Sequence, residues 1–227
     1  VTAAYAFVLP NVQHVPPEWA PVFQWTLRVE RGPTDGRVDD PDDRGGRTKD
    51  GITQATFDAW NVTHGRPKRD VWDIADEETA EIYFHDFWLR GRCDLIADRT
   101  DRPDRVVAPK LALVHYDACV NHGIHGVSKS TGRVFGANAM LQEVIGVQPF
   151  DGWLGKETFA ALDRRLGVGA LTLPPVWRSN EATLVQAYLA RRQRLYESLA
   201  RQPGQKKYLA GWLARLRCLR VVAASFT

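Results

Sequence analysis

The chain has 227 residues, 44% of them hydrophobic and 25% charged, and a formal charge of +3. This composition excludes collagenous and disordered classes, and no apolar run reaches the ~20 residues that a membrane span requires. Three scattered cysteines, Cys93, Cys119 and Cys218, exclude a cysteine-rich scaffold or a CxxC zinc module; they read as buried small hydrophobes, with at most one disulfide.

The length suits one large domain or two small ones with a real core. Charge is unevenly spread. Residues 35–43 hold five aspartates against one arginine, whereas residues 181–227 hold nine Lys/Arg against two Glu. A basic flank suits a polyanion such as nucleic acid, anionic lipid or wall polymer, or else forms a solvated helix face. Eight tryptophans are enough to serve both a core and sugar stacking.

In chain order, residues 1–17 are Pro-punctuated and irregular, without the basic n-region of a signal peptide. The first helix is predicted from about Glu18 to Glu30. Phe23, Leu27 and Glu30 share one face, so a carboxylate ends an apolar stripe, and Gly32-Pro33 stops the helix. Residues 31–50 form a long loop rich in Gly and Asp, with a small hairpin in it. Thr53 is the expected N-cap of a short helix carrying Phe57 and Trp60. A helix is expected over 76–90, capped by Asp76, with Ala80, Tyr83, Phe84, Phe87 and Trp88 on its core face. Residues 99–105 read as a charged loop. A helix from Pro109 to Asn121 should end at Gly123 in a left-handed cap. Further helices are expected over 135–145, 156–166, 180–199 and 209–223, with a turn at 148–152 and a linker at 171–175.

Glu30 and the loop after it are the candidates for chemistry. Glycoside hydrolysis needs one protonated carboxyl to give a proton to the leaving oxygen, and a second polar group to handle water or the positive charge on the sugar ring. Burial on an apolar helix face raises a carboxyl pKa, and this is the environment expected for Glu30. The aspartates could supply the second group. They do not fit an EF-hand, because no Glu follows at the bidentate position.

The stretch DPDDRGGRTKDGIT at 40–53, after a helix ending in Glu30, resembles the motif of glycoside hydrolase family 108, in which E-G-G-Y precedes D-P-x-D-x-G-G-x-T-x-x-G-I-T. Asp43, Gly45, Gly46, Thr48, Gly51, Ile52 and Thr53 match its second part. Tyr83 and Trp88, YDACVNHG at 116–123, Leu141-Gln142, DGWLGKET at 151–158 and QPGQKKYLAGWLAR at 202–215 resemble later pieces of the family in order.

The resemblance implies a mainly α, lysozyme-like α+β fold with a small hairpin or loop region after the catalytic helix. It implies an irregular arm (1–17), a catalytic half (18–126) and a helical peptidoglycan-binding half (127–227), packed as one domain. It also implies an N-acetylmuramidase that cleaves the β-1,4 bond between N-acetylmuramic acid and N-acetylglucosamine. Glu30 would be the general acid, with Asp43 and Thr48 completing an E…D…T arrangement. Asn121 and His122 would be polar groups beside the cleft, and Trp153 a stacking residue. No cofactor and no metal are implied, and the spacing of His115, His122 and His125 lacks an HExxH companion.

The partner is peptidoglycan, met as a monomer in the periplasm or cell wall, with the basic C-terminal helix available to an anionic membrane or wall polymer. No nucleic-acid-binding motif is present. Two departures from the family stand out. E-G-G-Y is Glu30-Arg31-Gly32-Pro33 here, and the spacer to Asp43 is about four residues longer, so Asp39 or Asp40 could stand in its place. A catalytically weak or inactive wall-binding module is therefore the alternative.

Overall fold

The computed structural model describes residues 16, 19–32, 34–39, 46–99, 106–128, 132–167 and 181–225. They are mostly helical with small antiparallel sheets, in the manner of a lysozyme-like α+β fold. By contacts the chain divides into two compact units, 1–86 and 87–227.

In the first unit, α1 spans Trp19–Arg31 and buries Trp19, Val22, Phe23, Thr26 and Leu27, the expected helical stripe. Trp19 stacks on Phe23 at 4.8 Å and meets Phe84 edge-on at 5.1 Å, and Phe23 lies 5.6 Å from Tyr83. The Asp-rich region contributes to a three-stranded antiparallel sheet of β1 (Arg37–Val38), β2 (Thr48–Lys49) and β3 (Ile52–Thr53). Helix α2, Gln54–Thr63, starts as expected: the Thr53 hydroxyl accepts from Thr56 N, and Phe57 and Trp60 are buried.

Helix α3, Asp76–Tyr83, differs from expectation at both ends. Its N-cap is Ala75, because the Asp76 carboxylate is engaged by Arg31; Glu78 reaches back to accept from Ala75 N at 3.0 Å instead. After Tyr83 the helix widens into a π-helical stretch, Phe84–Leu89, rather than running unchanged to residue 90.

The second unit is built around α5, Pro109–His122, of which ten residues are buried. Before it come α4, Cys93–Ala97, and a two-stranded ladder of β4 (Asp98–Arg99) and β5 (Val106–Val107); the rest of the expected charged loop, 100–105, lies outside the described residues. Helix α5 ends at Gly123 with φ +71°, the positive value that favours glycine, but ψ 162° takes it out of the left-handed helical cap. The carbonyls of Gly123 and Ile124 instead turn to accept from Ala137 N and Asn138 N at the start of the next helix. After the hairpin of β6 (Gly126–Val127) and β7 (Val134–Phe135) come α6 (Ala137–Ile145), α7 (Lys156–Leu166), α8 (Glu181–Leu199) and α9 (Leu209–Ser225). The linker at 171–175 lies outside the described residues.

A buried charge cluster ties three of these helices together. Asp117 of α5 is fully buried and pairs with Arg192 of α8 at 2.6 Å and Arg215 of α9 at 2.7 Å. Glu181 adds a bond from the start of α8, accepting from Leu111 N at 3.0 Å in the first turn of α5. All three cysteines are free thiols, so the possible disulfide is not formed. Cys93 and Cys119 are buried as expected, whereas Cys218 is exposed on α9.

Candidate active site

Glu30 sits in the last turn of α1, half-buried, where the apolar stripe runs out. The turn joining β2 to β3 lies against it. That turn is the two-residue loop Asp50-Gly51, with Lys49 facing Ile52 across it and both loop residues at positive φ, +54° and +77°. Such a turn matches the twist of the flanking strands and favours Asp-Gly.

Gly51 is needed for closeness as well as for φ. A Cβ there would lie 2.9 Å from Tyr83 Oη and 3.3 Å from Glu30 Oε2. The Tyr83 hydroxyl donates to Asp50 O at 2.7 Å, which fixes the turn from the α3 side. Glu30, Gly51 and Tyr83 therefore meet at one point, reached from α1, the hairpin turn and α3.

A second interaction locks the turn. The Asp50 carboxylate is fully buried and receives two bonds from Arg31, Nε to Oδ1 at 2.7 Å and Nη2 to Oδ2 at 2.9 Å. Arg31 also donates to Asp76 at 2.5 Å. Its pKa is raised, first by the bond to Asp50, although burial opposes this. Gly36 makes room for the pair, since a Cβ on it would fall 2.0 Å from Asp50 Oδ1. Arg31 stands where the family motif has glycine, and here it anchors the turn beside Glu30.

Thr48 lies on β2, half-buried, opposite Thr53 and two residues before the turn. Trp72 Nε1 donates to Thr48 O at 3.2 Å, and Arg47 covers the Trp72 ring at 4.4 Å. Asp43 and Asp40 lie outside the described residues. Asp39 is exposed and pairs with Arg47 at 3.3 Å.

The other candidates belong to the second unit. Asn121 is exposed, but its Nδ2 donates back to Asp117 O at 2.7 Å. His122 is half-buried against Tyr196, 5.3 Å between rings. Burial, followed by the charge of Arg192, pushes its pKa down to about 3, so the ring is neutral at ordinary pH.

Trp153 is 68% exposed and lies 5.1 Å from the His125 ring. Its turn is held rigidly on α6, where Gln142 accepts from Gly152 N at 2.8 Å and donates to Asp151 Oδ1 at 2.7 Å and to Trp153 O at 3.1 Å. This is the structural work of the Leu-Gln and Asp-Gly-Trp motifs. Trp212 stacks on Tyr196 and Tyr208, and Arg215 serves Asp117, so both belong to the packing of the C-terminal helices. Arg201, Lys206, Lys207, Arg217 and Arg220 are exposed and form the cationic flank.

Sequence reasoning overlooked Asp50, Gly51 and Tyr83 as a framework for Glu30. The Asp50-Gly51 dipeptide carried the signal, being one of the pairs that two-residue hairpin turns favour.

Comparison with known proteins agrees with this architecture. Residues 23–123 match the family model of glycosyl hydrolase 108, and residues 136–217 match that of a predicted peptidoglycan domain. No curated protein matches the chain at a significant level. Among solved structures the chain is similar to SagA of Brucella abortus, with 23% identity, a TM-score of 0.62, and coverage of 92% of this chain and 94% of that one. At that identity the likeness establishes a shared fold.

Proposed function

We propose that this chain, which carries a glycosyl hydrolase 108 domain over residues 23–123 and a predicted peptidoglycan domain over 136–217, is a peptidoglycan hydrolase of the N-acetylmuramidase type with Glu30 as its general acid. The proposed bond is the β-1,4 link between N-acetylmuramic acid and N-acetylglucosamine.

The observation that carries this reading is the position of the Glu30 carboxylate: it ends an apolar helix stripe and is held against a rigid, glycine-floored turn. A carboxyl so placed can approach a sugar oxygen with little side-chain freedom left to lose. Glu30 would give its proton to the leaving oxygen, while the Thr48 hydroxyl holds the attacking water or the sugar's underside. Asp43 would orient that water or stabilise the oxocarbenium-like transition state. Trp153 and the exposed cations of α9 would hold the wall polymer, Trp153 by stacking and the cations by charge. The work is done in the periplasm or cell wall. Among the described residues no helix is long and apolar enough to cross a membrane.

The test is Glu30→Gln, assayed by release of soluble muropeptides from purified peptidoglycan, with sacculus pull-down in parallel. Loss of about 10²–10⁴ in rate with pull-down intact is expected for a general acid. Equal release by wild type and variant would remove Glu30 from the chemistry. No release by the wild type, with pull-down intact, would make the chain a wall-binding module.

A further inference from the structure

We propose that Cys93, His115 and Cys119 form a binding site for one soft d10 metal ion of the zinc(II) or copper(I) class, apart from the glycosidase chemistry. Cys93 opens α4, and His115 and Cys119 lie one turn apart on α5. Their ligand atoms all lie within 4.8 Å of one another, the one such group found among the described residues. All three side chains are fully buried. Two thiol sulfurs and an imidazole nitrogen, with no carboxylate, are the donors that soft cations prefer over calcium or magnesium.

The hydrogen bonding around His115 points to a cation. Tyr188 Oη donates its one proton to Ala137 O at 2.9 Å, so at 3.0 Å from His115 Nδ1 it acts as an acceptor. That fixes the proton on Nδ1 and leaves the Nε2 lone pair bare. Yet Nε2 lies 3.0 Å from Gly91 O, which can only accept. Two acceptors cannot face each other at that distance, so the cluster carries one positive charge more than a neutral ring supplies, as a second ring proton or as a bound cation. The two sulfurs gathered within 4.8 Å of the ring nitrogen are what favour a metal ion as that charge, with Gly91 O at hand as a fourth donor. The Nδ1–H bond to Tyr188 is the outer contact that metal-bound histidines ordinarily make.

The backbone is shaped to the cluster. A Cβ on Gly91 would fall 2.8 Å from Cys119 Sγ, 3.3 Å from Cys93 Sγ and 2.4 Å from Phe87 O. Only glycine lets the chain close over both sulfurs. The other histidines of the sequence pattern take no part, since His122 packs on Tyr196 and His125 on Trp153.

The experiment uses the full chain carrying Cys218→Ser, which removes the exposed thiol, in reduced form after dialysis against a chelator. Zinc(II), cadmium(II) and copper(I) are titrated separately in competition with a chromophoric chelator; cadmium also reports thiolate binding by its ultraviolet charge-transfer band. One equivalent per chain is expected. Cys93→Ser and Cys119→Ser should each weaken binding at least about 100-fold, about 2.7 kcal/mol. X-ray absorption on the zinc-loaded parent, which needs no cysteine-site variant to fold, should show two sulfurs at about 2.3 Å and a nitrogen at about 2.0–2.1 Å. Three results would overturn the proposal: no metal retained by folded, reduced protein; undiminished binding when both cysteines are replaced by alanine; or isolation of the chain with Cys93 and Cys119 joined to each other as a disulfide.

Discussion

Replacing Gly51 by alanine tests whether the hairpin turn sets the position of the Glu30 carboxylate. Two effects combine in this variant. A left-handed φ of +77° costs an alanine about 1–2 kcal/mol. The new methyl also lies 2.9 Å from Tyr83 Oη and 3.3 Å from Glu30 Oε2. Tyr83 is buried and held by its bond to Asp50 O, so it cannot yield. The Glu30 carboxylate is displaced instead. Gly65→Ala separates the two effects, because Gly65 has φ +65° with nothing within 4 Å of its virtual Cβ. Both variants should melt lower, by about 2–8 °C for a chain of this size. Only Gly51→Ala should lose turnover, by about 10²-fold, the scale of a 1 Å misplacement of a reacting group. The assay is muropeptide release per folded molecule, with the folded fraction set by circular dichroism. Equal activity in the two variants would refute the idea that the turn positions Glu30.

Further outcomes concern the second unit. Asp117→Ala strands the fully buried Arg192 without its counter-charge and should cost about 3–5 kcal/mol in urea unfolding, whereas Asp117→Leu with Arg192→Met should recover most of it. Burial raises the Asp117 pKa, but Arg192 and Arg215 outweigh it and hold the group below the usual carboxylate range. Its contribution is thus present above the unfolded value of about 4 and lost as pH falls through the folded one. Urea midpoints taken from pH 6 to pH 2 should therefore fall more steeply for the wild type than for Asp117→Ala. His122, with its pKa near 3, should show no imidazole titration by NMR between pH 5 and 8. Because the unfolded ring gains its proton first, burying this residue costs stability progressively as pH drops below about 6.5.

Where helical periodicity was strong, sequence and structure agree closely. The α1 stripe, the Thr53 cap and the limits of α7 follow from side-chain spacing and capping chemistry alone. Disagreement arises where a distant partner claims a side chain or a backbone carbonyl. Asp76 is a good N-cap by type, but Arg31, forty-five residues away, takes its carboxylate and leaves the capping to Glu78. Gly123 suits a left-handed cap by type and keeps a positive φ, but its carbonyl and that of Ile124 accept from the first turn of α6, and ψ lies at 162°. The site behaves in the same way. Glu30 could be chosen from its place at the end of an apolar face. Its companions could not, because what joins Asp50, Gly51 and Tyr83 to it is a close approach between separate elements, which no local period records.

The same distinction bears on the departure from the family motif at Arg31. Read locally, a guanidinium in place of glycine beside a proposed general acid is a liability, since an unpaired cation would hold a neighbouring carboxyl ionised. In the fold that charge is already engaged. Asp50 takes two of its hydrogen bonds and Asp76 another, so two carboxylates answer one guanidinium. Because Asp50 is itself half of the turn against Glu30, the cation secures the floor of the proposed site. The change at position 31 is therefore compatible with an acid at position 30, and Glu30→Gln and Gly51→Ala test that compatibility from its two sides.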